Sequence, residues 1–254
     1  KEFYDDEYIA HRRKKTGGWL APLLSRVLDG VERRKERLAR RYVEIRPTTE
    51  VLDVGCGAGG FLRRIREGPG AKTTGLDFKD LSDHHSLSGS QFHCGLFYEH
   101  DFEGKRFDLI TMWHFLEHDY DPARSMATAC ECLADDGQLI IEVPRLDSRT
   151  AGWFGDRWPG LQAPQHTILF DREHFEKMAK SAGLEVVEYL PYGAFPAYYY
   201  LFSGVAFKLL RGRGLNVRRA LLPYLLGQVF LLPVMLFERK LNLAMQTIIC
   251  RKAS

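Results

Sequence analysis

The run Val51-Leu52-Asp53-Val54-Gly55-Cys56-Gly57-Ala58-Gly59-Gly60 constrains this chain's fold more than any other stretch. A short apolar strand feeds a turn holding four glycines in six residues, and a helical pattern follows over 61–67 until Gly68-Pro69-Gly70 stops it. Glycines let the backbone turn tightly and approach a ligand, and the helix N-terminus beyond them offers unpaired N–H groups. Dehydrogenases use a similar turn for pyrophosphate, so the glycines alone do not choose the ligand. Two carboxylates separate the readings. Asp53 stands two residues before the first glycine, where it faces a pyrophosphate awkwardly but pairs well with an ammonium group. Asp77 ends the expected second strand, where a carboxylate accepts both hydroxyls of an unphosphorylated ribose. Such a site suits an amino-acid-bearing nucleoside.

The rest of the chain alternates strands and helices. Strands are expected at 50–54, 72–76, 91–96, 107–112, 138–143, 184–190 and 243–250, and helices within 20–45 and at 122–134 and 171–182, the last opened by an Asp171 cap and closed by Gly183. This spacing implies an α/β fold with a doubly wound, mostly parallel sheet. The 254 residues, 45% hydrophobic and 27% charged, suffice for such a core and exclude a disordered or collagen-like chain. Five cysteines (Cys56, Cys94, Cys130, Cys132, Cys250) are odd in number and lack paired metal-ligand spacing, which favours a reduced, cytoplasmic setting over a disulfide framework. The chain opens on Lys1, so a trimmed start is expected, and no charged-then-apolar signal peptide opens the sequence.

Residues 194–210 and 220–237 break the pattern as two apolar segments around the basic connector 211–219. The second runs 18 residues without a charge, the lower limit for a bilayer span, but Pro223, Gly227, Gln228 and Pro233 argue against a straight transmembrane helix. Two readings stay open: helices lying in one leaflet with arginines at the headgroups, or a helical cap buried against the sheet or a second subunit in a homodimer. Charge is segregated as well. Residues 11–46 carry 12 basic and 4 acidic side chains, and residues 98–147 carry 4 basic and 12 acidic. Either an anionic surface meets part of the molecule or these are solvated helix faces.

The strings DVGCGAGGF, GLD, FDLITMWHFLEH and LADDGQLIIEVP, in that order between residue 50 and about residue 190, resemble the successive motifs of class I S-adenosylmethionine-dependent methyltransferases. The resemblance implies a seven-stranded Rossmann-like sheet with its last strand antiparallel beside the sixth. It divides the chain into an N-terminal helical arm (1–46), a core (47–192 and 242–254) and an apolar helical insert (193–241) between strands six and seven. It also implies that Asp53, Gly55, Cys56, Gly57 and Gly59 cradle the methionine part of S-adenosyl-L-methionine. Asp77 would hold the ribose and Phe78 pack on the adenine, while Met112, Trp113 and His114 line the sulfonium and the acceptor. Tyr4 and Tyr8 resemble the tyrosine-bearing arm that many relatives fold over the cofactor, or they are surface anchors.

Transfer from a sulfonium chiefly needs alignment and exclusion of water; a base is needed only for a protonated acceptor. Three histidines compete as catalytic residues: His114, His118 and His166. In WHFLEH, a helical conformation would put His114 and His118 on one face with Glu117 between them, a set with the ligand types for a divalent metal. The ubiquinone-biosynthesis O-methyltransferases, which this motif resembles, have glutamate at the place of His114 and then keep Glu-His; that set is thought to hold a divalent cation. The departure at His114 leaves the divalent metal open, since His-Glu-His could still bind one, and favours a structural role for Glu117 and His118 over metal binding. The loop Trp158–Thr167 resembles the W…P.H…F pattern of small-molecule methyltransferases. Trp153, Phe154 and Trp158 could form an aromatic lid there, with Trp158, Gln165 and Tyr198 touching the substrate.

These features favour a methyltransferase of a small lipophilic acceptor, first by O-methylation and next by C-methylation of a polyketide, isoprenoid or fatty-acyl group. Contact with the inner face of a membrane is the natural extension. RNA methylation is the alternative raised by the basic N-terminal helices, but the Asn/Asp-Pro-Pro-aromatic motif of amino-methylating enzymes is missing, so nucleic acid is not the expected partner. A non-catalytic cofactor-binding scaffold is a third reading, and a nicotinamide oxidoreductase is disfavoured by Asp53 and Asp77.

Overall fold

Alternation along the strands dictates a sheet covered on both faces. The computed structural model describes residues 21–210, 224, 226–231 and 237–253. In chain order its elements are α1 (Ala21–Ala39), β1 (Glu50–Val54), α2 (Gly60–Glu67), β2 (Lys72–Asp77), β3 (Gln91–Cys94), β4 (Phe107–Trp113), α3 (Pro122–Cys132) and β5 (Leu133–Pro144). Then come α4 (Arg149–Phe154), α5 (Arg172–Ser181), β6 (Leu184–Leu190), α6 (Ala197–Leu210), α7 (Glu238–Leu241) and β7 (Met245–Lys252). Val51, Leu109, Ile140 and Ile249 point to one core with Leu38, Phe61, Leu62 and Ile65 of α1 and α2. Their neighbours Leu52, Ile110, Ile141 and Ile248 point to the other, with Met126, Ala129, Phe175 and Ala179 of α3 and α5. Residues two apart share a face, so strands apolar at every position need helices on both sides.

The seven strands run in the order β3-β2-β1-β4-β5-β7-β6. Pairings among β1 to β5 are parallel, and β7 is antiparallel to both β5 and β6. The order reverses between β1 and β4, which opens a crevice at the carboxyl ends of those strands. Asp53 is registered between Gly75 of β2 and Thr111 of β4. Because β6 runs parallel to β5, the chain leaves β6 at that same edge, and α6 and α7 therefore sit on the ligand-binding side.

The boundaries depart from the sequence pattern where turns intervene. Strand β3 stops before Gly95, whose φ is +149°. Strand β5 starts at Leu133, not 138, because Leu133 pairs with Phe107 across a register shift that absorbs the intervening residues. Helix α4 falls where the sequence pattern gave no helix, with the Ser148 hydroxyl accepting from the Ala151 N–H at 3.3 Å. The expected Asp171 cap holds, its Oδ1 accepting from the His174 N–H at 2.8 Å. No helix among the described residues is long and apolar enough to cross a membrane. The arm with Tyr4 and Tyr8, the connector 211–219 and much of 220–237 lie outside the described residues.

Candidate functional site

The glycine turn is held by backbone bonds and by what its missing side chains permit. The N–H groups of Gly55 and Cys56 donate to the Leu76 carbonyl at 2.8 and 3.1 Å, tying the turn to the end of β2. Gly55 and Gly59 both have φ +71°. A Cβ at Gly55 would lie 2.8 Å from the Phe115 ring, and one at Gly59 would lie 2.4 Å from Leu87. Both are left-handed positions without room, which no other residue satisfies cheaply. The Gly57 N–H donates to Asp77 Oδ2 at 2.9 Å, and the Lys79 N–H donates to Asp77 Oδ1 at 3.1 Å. The turn and the second carboxylate thus form one hydrogen-bonded unit at the crevice. Cys56 is buried over Gly75, where an added Cβ would lie 2.8 Å from its sulfur, and burial pushes its thiol well up. Phe78 stays 37% exposed at the rim.

Asp53 is buried and accepts a hydrogen bond from Thr111 Oγ1 at 2.7 Å. Burial raises its carboxyl to about 7, against the opposing charge of Lys35 and the Thr111 hydroxyl. Lys35 reaches in from α1 with its ammonium 5.7 Å from the centre of the Trp113 ring. The two residues expected to line the sulfonium are packed away. Met112 is fully buried in the core shared with α3 and α5, and Trp113 packs edge-on against Phe61 with ring centres 5.6 Å apart.

The WHFLEH segment corrects the expectation of a helical face. His114 leaves β4 with φ +55°, and only Leu116–His118 forms a short 3-10 turn. His114 and His118 therefore point to different partners. The His114 ring lies between two buried carboxylates, its Nδ1 3.2 Å from Glu117 Oε1 and its Nε2 3.2 Å from Glu142 Oε1. Burial opposes charge on this imidazole, but the hydrogen bonds to Glu117 and Glu142 outweigh it and raise the ring to about 9. With both nitrogens donating, no lone pair remains to take a proton, so His114 is not a free base. Glu142 extends the cluster: its carboxylate accepts from the N–H groups of Ala194 and Phe195 at 2.5 and 2.9 Å, pinning the chain as it enters α6. A Cβ at Gly193 would lie 2.4 Å from that carboxylate. Sequence reading missed Glu142, although an acid inside the apolar run Leu139–Val143 was the signal.

His118 and His166 come together because the loop after α4 runs along residues 117–119: the Thr167 N–H donates to the Glu117 carbonyl and the Thr167 hydroxyl to the Asp119 carbonyl, at 2.8 and 2.7 Å. The two rings stand 4.6 Å apart at 80°. His118 Nδ1 donates to the Gln165 carbonyl at 3.0 Å, and His166 Nδ1 to the Gly160 carbonyl at 2.7 Å. Burial lowers both imidazoles, His166 to about 4, so both are neutral. Glu117, His118 and His166 each offer one ligand atom within 4.8 Å of the others, the one cluster of that kind among the described residues. Trp158 and Phe154 are not lid residues. Trp158 is buried, donates from Nε1 to Thr150 Oγ1 at 2.9 Å and packs with Tyr200, while Phe154 fills the same core; Trp153 alone is exposed. Tyr198 is likewise buried, its hydroxyl donating to the Tyr224 carbonyl at 2.6 Å, so it braces the insert.

Asp53 and Asp77 flank a glycine turn at the sheet's switch point, in an α/β fold of the methyltransferase type. The methyltransferase-domain family matches residues 19–189, and the chain belongs to that family. It is 31% identical over 109 residues to the ubiquinone biosynthesis O-methyltransferase of Aromatoleum aromaticum, covering 36% of this chain and 42% of that one. It is 34% identical over 111 residues to the Coxiella burnetii protein of the same name, covering 40% of this chain and 47% of the relative. The matched part thus spans under half the length of these relatives. In fold it is similar to a putative sarcosine dimethylglycine methyltransferase from Galdieria sulphuraria (TM-score 0.60, 15% identity, 91% of this chain and 88% of the other).

Proposed function

We propose that this chain transfers the methyl group of S-adenosylmethionine to a hydroxyl of a small lipophilic acceptor, working at the cytoplasmic face of a membrane. The observation that carries the reading is the single unit made by the glycine turn and Asp77, with buried Asp53 beside it. Asp53 pairs with the cofactor's ammonium, for which its raised carboxyl gives up a proton. Asp77 takes the ribose hydroxyls in place of the Gly57 N–H, and Phe78 covers the adenine at the rim. Alignment and exclusion of water do most of the remaining work, because the sulfonium methyl is already activated. Glu117, His118 and His166 handle the proton of an acceptor hydroxyl. His114 and Glu142 hold that cluster to the insert without touching the acceptor.

Apolar exposure supports the choice of acceptor. Val205 and Leu209 of α6, together with Leu226, Val229, Phe230 and Phe237, leave large side chains open to solvent, Phe230 at 87%. Scattered apolar residues are ordinary, but six on one insert beside the crevice suit a greasy substrate or a bilayer surface. The identity of the Aromatoleum aromaticum relative, a ubiquinone biosynthesis O-methyltransferase, favours oxygen over carbon as the methylated atom. The test is methyl-labelled cofactor with phenolic lipids in vesicles. Label in the organic phase is expected. Saturable cofactor binding without transfer to any lipid phenol, or transfer to RNA instead, overturns the reading.

A further inference from the structure

A fully buried carboxylate fixes the first residues of the insert. Glu142 is registered with Trp113 near the carboxyl ends of the strands, and it accepts from the N–H groups of Ala194 and Phe195 and from the His114 ring. Burying a carboxylate is costly unless its oxygens are engaged, so a chain entry held this way is held in one place. The residue it positions is Phe195. That ring meets the His114 ring edge-on, with centres 5.1 Å apart at 72°. Tyr199, four residues on, meets Phe195 in the same manner at 5.3 Å and 81°. Both rings are half-buried, whereas Trp158, Ala197, Tyr200 and Leu243 fill the core beneath them. Packing explains the buried members of this cluster. It does not explain why the half-exposed pair beside the crevice is the part anchored to the sheet by a buried acid.

We propose that Phe195 and Tyr199 form the wall against which the acceptor lies, and that the acceptor therefore carries its hydroxyl on a planar aromatic ring rather than on an aliphatic chain. The inference rests on the reading of the crevice as a methyl-transfer site and names the acceptor class for it. Rings set edge-to-face present the alternation of positive edges and negative faces into which a further ring fits, an attraction that a saturated group lacks. The wall stands where such a ring is needed. His114 directly follows the last residue of β4, so a group lying on Phe195 borders the edge that carries the glycine turn. His114 also bonds Glu117, which joins the wall to the cluster assigned to the hydroxyl proton. Glu142 and His114 are positioning residues: they touch no acceptor, but they set where the Phe195 ring stands. Trp158 and Tyr198, the aromatic contacts expected from sequence, are buried in packing, and Phe195 and Tyr199 take their role.

The test is equilibrium binding to the full chain saturated with S-adenosylhomocysteine, with naphthol and its saturated counterpart decalinol as probes, so that methylation of neither is required. Ligand-observed NMR titration gives both affinities. Naphthol should bind saturably and roughly two- to tenfold more tightly than decalinol. Burial of apolar area alone predicts no such preference, since the saturated probe is the bulkier. Phe195→Leu keeps the wall apolar and should abolish the preference, whereas Phe195→Tyr should retain it. Glu142→Gln keeps the side-chain shape and should reduce the preference, with S-adenosylhomocysteine affinity unchanged in all three variants. Equal binding of the two probes, no saturable binding of either, or a preference unchanged in Phe195→Leu overturns the wall. A full preference in Glu142→Gln overturns the positioning role of the acid. Failure of the parent to bind S-adenosylhomocysteine would instead refute the cofactor reading, and this inference with it.

Discussion

Replacing Asp53 with asparagine tests the buried carboxyl without changing its shape. In the folded chain this group titrates at about 7, raised by burial from an ordinary 3.8. Between those values the unfolded chain has released the proton and the folded chain has kept it, so stability falls as pH rises and levels off above about 7. Asparagine has no proton to release. The stability of Asp53→Asn relative to the parent should therefore climb by about 1.5 kcal/mol between about pH 5.5 and pH 7, allowing for half-titration at the upper end. Urea unfolding of both proteins across that range measures the difference directly, because contributions from every other group cancel. Cofactor binding supplies the second arm. An ammonium beside Asp53 favours the ionised carboxylate, so binding below about pH 7 should release a proton, and affinity should rise by up to about tenfold per pH unit towards neutrality. Calorimetry in two buffers of different ionisation enthalpy counts that proton. Parallel stability curves, or binding without proton release by the parent, would refute the reasoning.

Asp77→Ala should weaken cofactor binding through two lost hydrogen bonds to a charged group, each worth roughly 1.5–3 kcal/mol, as read by calorimetry. His114→Ala leaves the Glu117 and Glu142 carboxylates buried without their cation and should destabilise the fold by about 3–5 kcal/mol in chemical unfolding. Phe230→Glu combined with Leu226→Glu should abolish co-sedimentation with anionic vesicles while cofactor affinity stays unchanged; sedimentation equal to the parent's would remove the insert as the membrane contact.

Local physics explains which parts of this architecture were legible before any coordinates. Strand β1, the glycine turn and Asp77 are neighbours in sequence or one crossover apart, and their residue types allow few alternatives. Gly55 and Gly59 each meet a side chain where a Cβ would stand, and both take a left-handed φ of +71°. The acceptor side was less legible because it is assembled from distant segments. His166 reaches His118 through Thr167 bonds to the backbone of residues 117 and 119 and through the His118 bond to the Gln165 carbonyl. Trp158 reads as a lid beside its prolines, yet Thr150 gives its indole N–H a buried partner and draws it into the core. His114 reads as a substrate-facing base by position; Glu142, 28 residues away on the next strand, turns it into a doubly held cation.

Glu142 joins the two halves of the site. Its backbone carbonyl accepts from the His114 N–H at 3.0 Å, its carboxylate holds the His114 ring, and the same carboxylate receives the first N–H groups of the insert. A fully buried acid with so many donors is costly to disturb, and Gly193 is left without a side chain to accommodate it. Movement of the insert would therefore be transmitted to His114, and through it to Glu117, the one residue shared by the positioning pair and the ligand cluster. The other half of the crevice is built differently, on the backbone of the glycine turn and on Asp53 and Asp77, which bond to Thr111, Gly57 and Lys79. Displacement of α6 would thus reach the Glu117–His118–His166 cluster through Glu142 and His114.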